Sequence, residues 1–335
     1  MQEVGSRGVN AASKSAGSPD AVRMNASHLQ SMAKFRYLTA DVFTDTPFGG
    51  NQLAVFPDAR GIPEHRLLDV TREFNYAETT FVYPPADPAH TRQVRIFTPG
   101  AEVPFAGHPT VGTAHVLAAI GAIPLTGTST RIVFEEKVGL VPVEIRAANG
   151  VPVFAQLSTA KMPEVGPPPP DRAALASMLS LGMADLLDGA WMPQALSTGL
   201  PFVFVPLASL AAVARARLRM DEWESSLKGA WGSEVFVFAR GGERPGSDFH
   251  ARMFAPGLSV PEDPATGSAC AALAGYLAAR DNRRDGTLRW TIEQGFQMGR
   301  PSMLEVEADV AAGTVTAVRV GGSSVVVCDG MMEIS

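Results

Sequence analysis

The chain contains an altered copy of part of itself. Residues 96–119 read IFTPGAEVPFAGHPTVGTAHVLAA, and residues 253–279 read MFAPGLSVPEDPATGSACAALAGYLAA. Aligned from Arg95 and Arg252, 157 positions apart, the segments share Phe97/Phe254, Pro99/Pro256, Gly100/Gly257, Val103/Val260 and Pro104/Pro261. One gap of three residues then sets Gly107 opposite Gly267. Each copy reads as strand, Pro-Gly turn and glycine-led helix. Solenoid repeats recur every ~20–50 residues, so a repeat this long implies two similar domains instead.

Length agrees, since 335 residues suit about two domains of ordinary size. With 46% hydrophobic residues the chain can bury a full core. A net charge of -6 and a pI near 5.6 speak against a nucleic-acid surface, which needs a basic face. Cys270 and Cys328 stand in no CxxC or Cys/His ligand spacing, which predicts a reducing, cytoplasmic setting and no structural metal. No apolar run reaches the roughly 18 residues of a membrane span, so no membrane partner is expected. Residues 1–33 are rich in Ser, Ala, Gly and Asn without an apolar h-region, which reads as a flexible tail rather than a secretory signal.

Patterning supplies the elements between. Strands are predicted at 36–43 and 53–56 around the turn-forming DTPFGGN, then at 79–83, 93–97, 131–134 and 140–145. Residues 63–74 have helical spacing, and the first repeated helix runs to about Ile120. The second half opens with a strand at 151–157 and a stiff Pro167–Pro170 spacer. Helices are expected at 171–187, capped by Asp171, and at 207–218 and 221–227. STGLPFVFVPL (197–207) repeats the parts of GGNQLAVF (49–56), a glycine turn and an apolar strand. Further strands are predicted at 234–238, 249–254, 287–291, 303–308, 315–320 and 324–328, around a second helix at 267–280. Mixed strands with one long helix per half make the fold class α+β.

Both copies end in small residues at a helix start: Ala106-Gly107-His108-Pro109 and Thr266-Gly267-Ser268-Ala269. A helix start has unpaired N–H groups and the positive end of the dipole, and glycine lets a ligand approach the backbone. Two such starts facing each other across a cleft would hold a carboxylate or an enolate-like oxygen. A lone glycine there more often serves helix packing, and the duplication is what tips the balance toward a site.

Three titratable residues stand in or near these turns. Glu78, in NYAETTF, leads into an apolar strand where desolvation would raise its pKa, as a returning general base requires. Taken alone it would read as a solvated loop carboxylate. Asp263, in EDPAT, is also a natural cap for the helix that follows. His108, in a helix first turn, would stay neutral beside the dipole and could relay a proton, although a lone histidine is usually structural. The other five histidines make no ligand spacing, so no metal is expected. GxGxxG, GxxxxGK[ST] and GxSxG are all missing, and Cys270 falls within its helix as a small core residue.

Four ordered segments, DVFTDTPFGGNQLAVF, NYAETTFVY, RIFTPGAEVPFAGHPTVGTAH and EDPATGSACAALAGYLA, resemble the signatures of the phenazine-biosynthesis PhzF family, within the diaminopimelate epimerase-like fold. The resemblance runs from about Phe35 to the C-terminus. It implies two pseudo-symmetric domains, each a mixed β-sheet or barrel wrapped around a long central helix, over residues 34–150 and 151–322. It also implies that the strand at 323–333 returns to the first domain. By the same resemblance the protein is an isomerase without metal or organic cofactor, acting on a small carboxylated substrate and assembling as a homodimer. Glu78 would be the acid/base with His108 and Asp263 assisting. Gly107, Gly267, Ser268, Asn51 and Thr266 would bind substrate. Where the fold's cysteine epimerases place thiols, this chain has Ala106 and Thr266, and where the family usually has Ser before the catalytic Glu it has Ala77. Three functions follow from the residues: cofactor-independent proton transfer between carbons, two-base epimerisation by Glu78 and Asp263, or binding of a small acid or a protein partner without catalysis.

Overall fold

In a computed structural model, which describes residues 33–258 and 260–335, the strands join into one continuous sheet with the same wiring in both halves. The expected flexible tail lies outside the described residues, apart from its last position. The first half consists of β1 (Ala33–Val42), β2 (Asn51–Phe56), α1 (Leu67–Phe74), β3 (Glu78–Tyr83), β4 (Arg92–Phe97), β5 (Glu102–Val103), α2 (Gly107–Ala119), β6 (Ser129–Glu136), β7 (Gly139–Ala148) and β8 (Val151–Ser158). The second consists of β9 (Glu164–Val165), α3 (Arg172–Met178), β10 (Gln194–Ser197), β11 (Pro201–Pro206), α4 (Leu210–Arg215), α5 (Met220–Ser226), β12 (Glu234–Arg240) and β13 (Phe249–Ala255). It continues with β14 (Val260–Asp263), α6 (Gly267–Ala278), β15 (Gly286–Gln294), β16 (Ser302–Ala311), β17 (Thr314–Gly322) and β18 (Ser324–Ile334).

Strand pairing shows the duplication more fully than the repeated motif does. Along β1-β2-β3-β4-β6-β7-β8 the neighbours run antiparallel, parallel, antiparallel, parallel, antiparallel and antiparallel. Along β10-β11-β12-β13-β15-β16-β17 the order of senses is identical. The short β5 and β14 hang from β4 and β13, and β9 and β18 flank β10 and β1. The halves meet where β8 pairs with β17, from Arg319↔Ser158 to Gly322↔Ala155, and the last strand runs back beside the first, from Ala33↔Ile334 to Val42↔Ser324.

The two long helices are the axes of this arrangement. α2 buries twelve of its thirteen residues and α6 ten of twelve, so neither keeps a polar face. A helix apolar all round must be wrapped, and each lies inside its half of the sheet against a core of Val, Leu, Ile and Phe. Alanine and glycine dominate α6 and recur in α2, which lets sheet and helix backbones approach. α1 and α3–α5 instead bury one face on the outside of the sheet, in two smaller clusters around Phe56 and Phe81 and around Leu175 and Val203.

Expected and observed elements differ in the outer helices. The helix expected at 171–187 stops at Met178, because Ser180 takes a left-handed φ of 57° and the chain turns away. Its cap is as read, with Asp171 accepting from the Ala174 N–H. The helix expected at 207–218 spans only Leu210–Arg215, because the Leu207 N–H is bonded to the Phe238 carbonyl and Ser209 caps the first turn. Apolar spacing alone did not separate a strand end from a helix start here.

Candidate active site

α2 and α6 begin at the same place from opposite halves. A Cβ added to Gly107 would lie 3.0 Å from Gly267 Cα and C and from Ser268 N, so the helix starts touch backbone to backbone. Neither start is capped by the side chain before it, Ala106 or Thr266. A cavity of about 440 Å³ opens over this contact, with walls that include Val103, Phe105, Leu200, Phe202, Met253 and Val260. Glu78, His108, Asp263, Gly107, Gly267, Ser268 and Thr266 all line it.

Glu78 reaches the cavity because of how β3 begins. α1 ends on Asn75 in left-handed conformation (φ 51°), two residues follow, and β3 enters beside β2 with Glu78 opposite Leu53. From Thr79 to Val82 the strand is buried, which leaves Glu78 at the boundary between core and cavity. Its side chain keeps 17% exposure, yet Oε2 is buried and has no hydrogen-bond partner among the described residues. That oxygen faces His108 Nε2 at 3.4 Å. Burial, reinforced by the nearby Asp263 charge, pushes Glu78 up to about 8. Burial pushes His108 down to about 3, with the Gln52 backbone opposing, so the imidazole is neutral. A neutral ring can offer Glu78 either an N–H or a lone pair.

Asp263 has a different setting. Its Oδ1 accepts from Asn51 Nδ2 at 2.8 Å and its Oδ2 from the Thr266 hydroxyl at 2.5 Å. Burial pushes it up to about 6, and those two donors oppose the shift. Two neighbouring carboxyl groups are thus held apart in acidity, the arrangement that separates acid from base.

Asn51 is displaced from its expected role. It is 2% exposed and does not line the cavity. Its amide sits behind the wall, donating to Asp263 and to the Ala265 carbonyl at 3.0 Å, 3.2 Å from His108 Nδ1. It therefore joins β2 to the two groups that flank Glu78.

Three functional-looking residues escaped sequence reasoning. Gln294, at the end of β15 and fully buried, bonds both the backbone and the hydroxyl of Thr266. Lys161, in the connection between β8 and β9, is the cation among the lining residues and makes no ion pair among the described residues. Arg300 ties the halves together, donating to the Gly49 and Gly50 carbonyls and pairing with Asp41 at 2.5 Å. None of the three stands in a repeated turn or in a motif that would have singled it out.

The repeat also explains why one half carries the exposed carboxylate. Glu234 opens β12 opposite Phe202 as Glu78 opens β3 opposite Leu53. Glu234 is 2% exposed and accepts from the Ser233 hydroxyl at 2.7 Å and the Gly257 N–H at 3.3 Å, outside the cavity. Cys270, the remaining reactive type nearby, is buried and its thiol is pushed up by desolvation, as a core residue's would be. Among the described residues no three His, Cys, Asp or Glu side chains form a metal-binding group, and no helix is long and apolar enough to cross a membrane.

Known proteins share this architecture and sequence. The profile of the phenazine biosynthesis-like protein family, PhzC-PhzF, matches residues 40–330. The chain is 39% identical to an uncharacterised isomerase of Mesorhizobium japonicum over 301 residues, covering 89% of this chain and 98% of that one. It is 33% identical over 290 residues to the trans-2,3-dihydro-3-hydroxyanthranilate isomerase of Pseudomonas chlororaphis, covering 86% and 96%. The crystal structure of a Bacillus anthracis phenazine biosynthesis protein of the PhzF family superposes with a TM-score of 0.81 at 24% identity, covering 90% of this chain and all of that one.

Proposed function

The chain belongs to the phenazine biosynthesis-like protein family, whose relatives include named isomerases, and from that membership we propose that it moves a proton between carbons of a small carboxylated substrate. The observation that carries the reading is Glu78, a carboxyl held near neutral pKa and facing a neutral histidine where two helix starts meet. Ionised Glu78 removes a proton from a carbon next to a carbonyl, imine or diene, the double bond shifts, and the same carboxyl returns the proton to a second carbon. No electrons leave the substrate. The N–H groups of Gly107, Gly267 and Ser268 face the developing negative charge, which a water-poor cavity makes more effective. The substrate's own acidic group finds Lys161 at the cavity wall.

trans-2,3-Dihydro-3-hydroxyanthranilate, on which the Pseudomonas relative is named to act, is the first compound to test. Turnover followed by NMR, with a panel of small amino and hydroxy acids beside it, separates the outcomes. A double-bond shift in any of these by wild type supports the proposal, and inertness toward all of them contradicts it.

Asp263 favours a second reading, since it is another carboxylate in the same cavity. Two bases on opposite faces of one carbon make an epimerase, which exchanges the α-proton with solvent at every turnover. A single carboxyl that carries a proton between carbons can retain it. Deuterium from solvent at one stereocentre, with no double-bond shift, would decide for the epimerase.

A further inference from the structure

We propose that Gln294 is a positioning residue: it fixes the Thr266 hydroxyl as a donor to Asp263 and so helps decide which of the two carboxyl groups in the cavity carries the proton. The inference rests on the reading of the cavity as a proton-transfer site, and it follows from donor and acceptor counting alone.

Gln294 can be oriented in one way only. Its Oε1 faces the Thr266 backbone N–H at 3.0 Å, and its Nε2 faces the Asp263 backbone carbonyl at 2.7 Å. Backbone groups have fixed roles, so the amide cannot be flipped. The second Nε2 hydrogen points at the Thr266 hydroxyl oxygen, 2.9 Å away. With that donor arriving, the hydroxyl's single hydrogen is left for Asp263 Oδ2. On the other side Asn51 Nδ2 is oriented equally firmly by the Ala265 carbonyl, and it donates to Asp263 Oδ1. Both oxygens of Asp263 receive donors, the pattern of a carboxylate, not of an acid.

Glu78 receives none from the same scaffold, and its Oε2 has only the histidine ring within reach. At rest the proton therefore resides on Glu78 and the charge on Asp263. Other titratable groups around Asp263 are His108 on α2, which is neutral, Glu262 on β14, whose charge acts in the opposite sense to the donors, and Cys270 on α6, a protonated thiol. None of these supplies a donor that could replace the Thr266 hydroxyl.

The test needs no substrate. Asp263 is followed by ¹³C NMR in protein labelled at aspartate Cγ, its signal assigned by the loss seen in Asp263→Asn. Gln294→Met keeps length and removes both donors and the acceptor, which frees the Thr266 hydroxyl to rotate away. Loss of a hydrogen bond to a charged group moves its titration by about one unit, upward here because the bond favours the ionised form. Asp263 should therefore titrate about one unit above wild type in Gln294→Met. Thr266→Val, which removes the same donor directly, should shift it likewise, and Thr266→Ser, which keeps the hydroxyl, should not. A merely structural Gln294 would lower thermal stability and leave Asp263 unmoved within about 0.2 unit, and that result overturns the proposal. If Gln294→Met does not fold, Gln294→Asn, whose shorter amide no longer reaches the Thr266 hydroxyl, takes its place, and an unmoved Asp263 titration in it overturns the proposal. Failure of the isomerase reading would show separately, as a wild-type protein that converts no candidate acid while these shifts still occur.

Discussion

Gly107→Ala tests whether the contact between the two helix starts is as close as the reaction requires. The new methyl would stand 3.0 Å from three backbone atoms of Gly267 and Ser268, where ordinary contact begins at 3.4 Å. Backbone cannot rotate aside, so the helix starts must separate by several tenths of an ångström. Separation is resisted by the β8–β17 pairing and by the Arg300 bonds to Gly49, Gly50 and Asp41. Overpacking of this kind costs about 1–3 kcal/mol. A Gly→Ala exchange that fits its site instead stabilises by about 0.4–1 kcal/mol, so the sign is diagnostic. The control is Gly100→Ala, a repeated glycine whose new methyl would meet nothing closer than Thr98 Oγ1 at 3.7 Å. Denaturant unfolding should rank Gly107→Ala below wild type and Gly100→Ala at or above it. Turnover should fall further than stability, since misplacing reacting groups by about 1 Å can cost about 100-fold. Equal stability and turnover in the two variants would refute the reasoning.

Three other outcomes follow from the cavity and its supports. Burial pushes Glu78 up to about 8, and the proposed base role requires it ionised, so kcat/KM should rise about tenfold per pH unit below 8 and level off above it; a profile flat from pH 6 to 8 contradicts the assignment. Glu136 on β6, which braces the first turn of α2 through the Thr110 hydroxyl at 2.7 Å, is pushed up to about 8 by burial. Its folded pKa lies above its unfolded one, so its contribution is present below about 4.5 and is lost as pH rises toward 8, by on the order of 5 kcal/mol. Glu136→Gln should therefore gain stability over wild type as pH rises across that range, and parallel pH profiles in urea unfolding would contradict this. Lys161→Met should raise KM for an acidic substrate about two- to fivefold, the range of an exposed ion pair, with kcat nearly unchanged; an unchanged KM removes Lys161 from substrate binding.

The residues around the cavity were legible in the sequence to the extent that the duplication marked them. Gly107, Gly267, His108, Thr266 and Ser268 stand in repeated turns, and two similar helices in one chain bring their starts together by symmetry. Glu78 was legible as a charge at the mouth of an apolar strand. Asn51 was read as substrate-binding, and its amide instead bonds Asp263 and the Ala265 carbonyl behind the cavity lining, a direction that a turn motif does not reveal. Gln294 and Lys161 lay beyond reach for a related reason. Gln294 meets Thr266 across 28 positions through the β13–β15 pairing, and Lys161 reaches the cavity from a connection with no periodicity. Glu234 could have been found as the twin of Glu78 by extending the repeat alignment upstream to β12, where both strands open with a glutamate. Outer helices were overextended wherever a Ser or Leu ended one element and began another, as at Ser180 and Leu207.

The central claim is that Glu78 carries the proton. Proton NMR in D₂O of wild type and Glu78→Gln, supplied with trans-2,3-dihydro-3-hydroxyanthranilate, reads it directly. Glutamine keeps the shape and removes the base, so conversion should fall by about 10²- to 10⁴-fold while the folded protein remains. Conversion by Glu78→Gln at close to the wild-type rate would contradict the account.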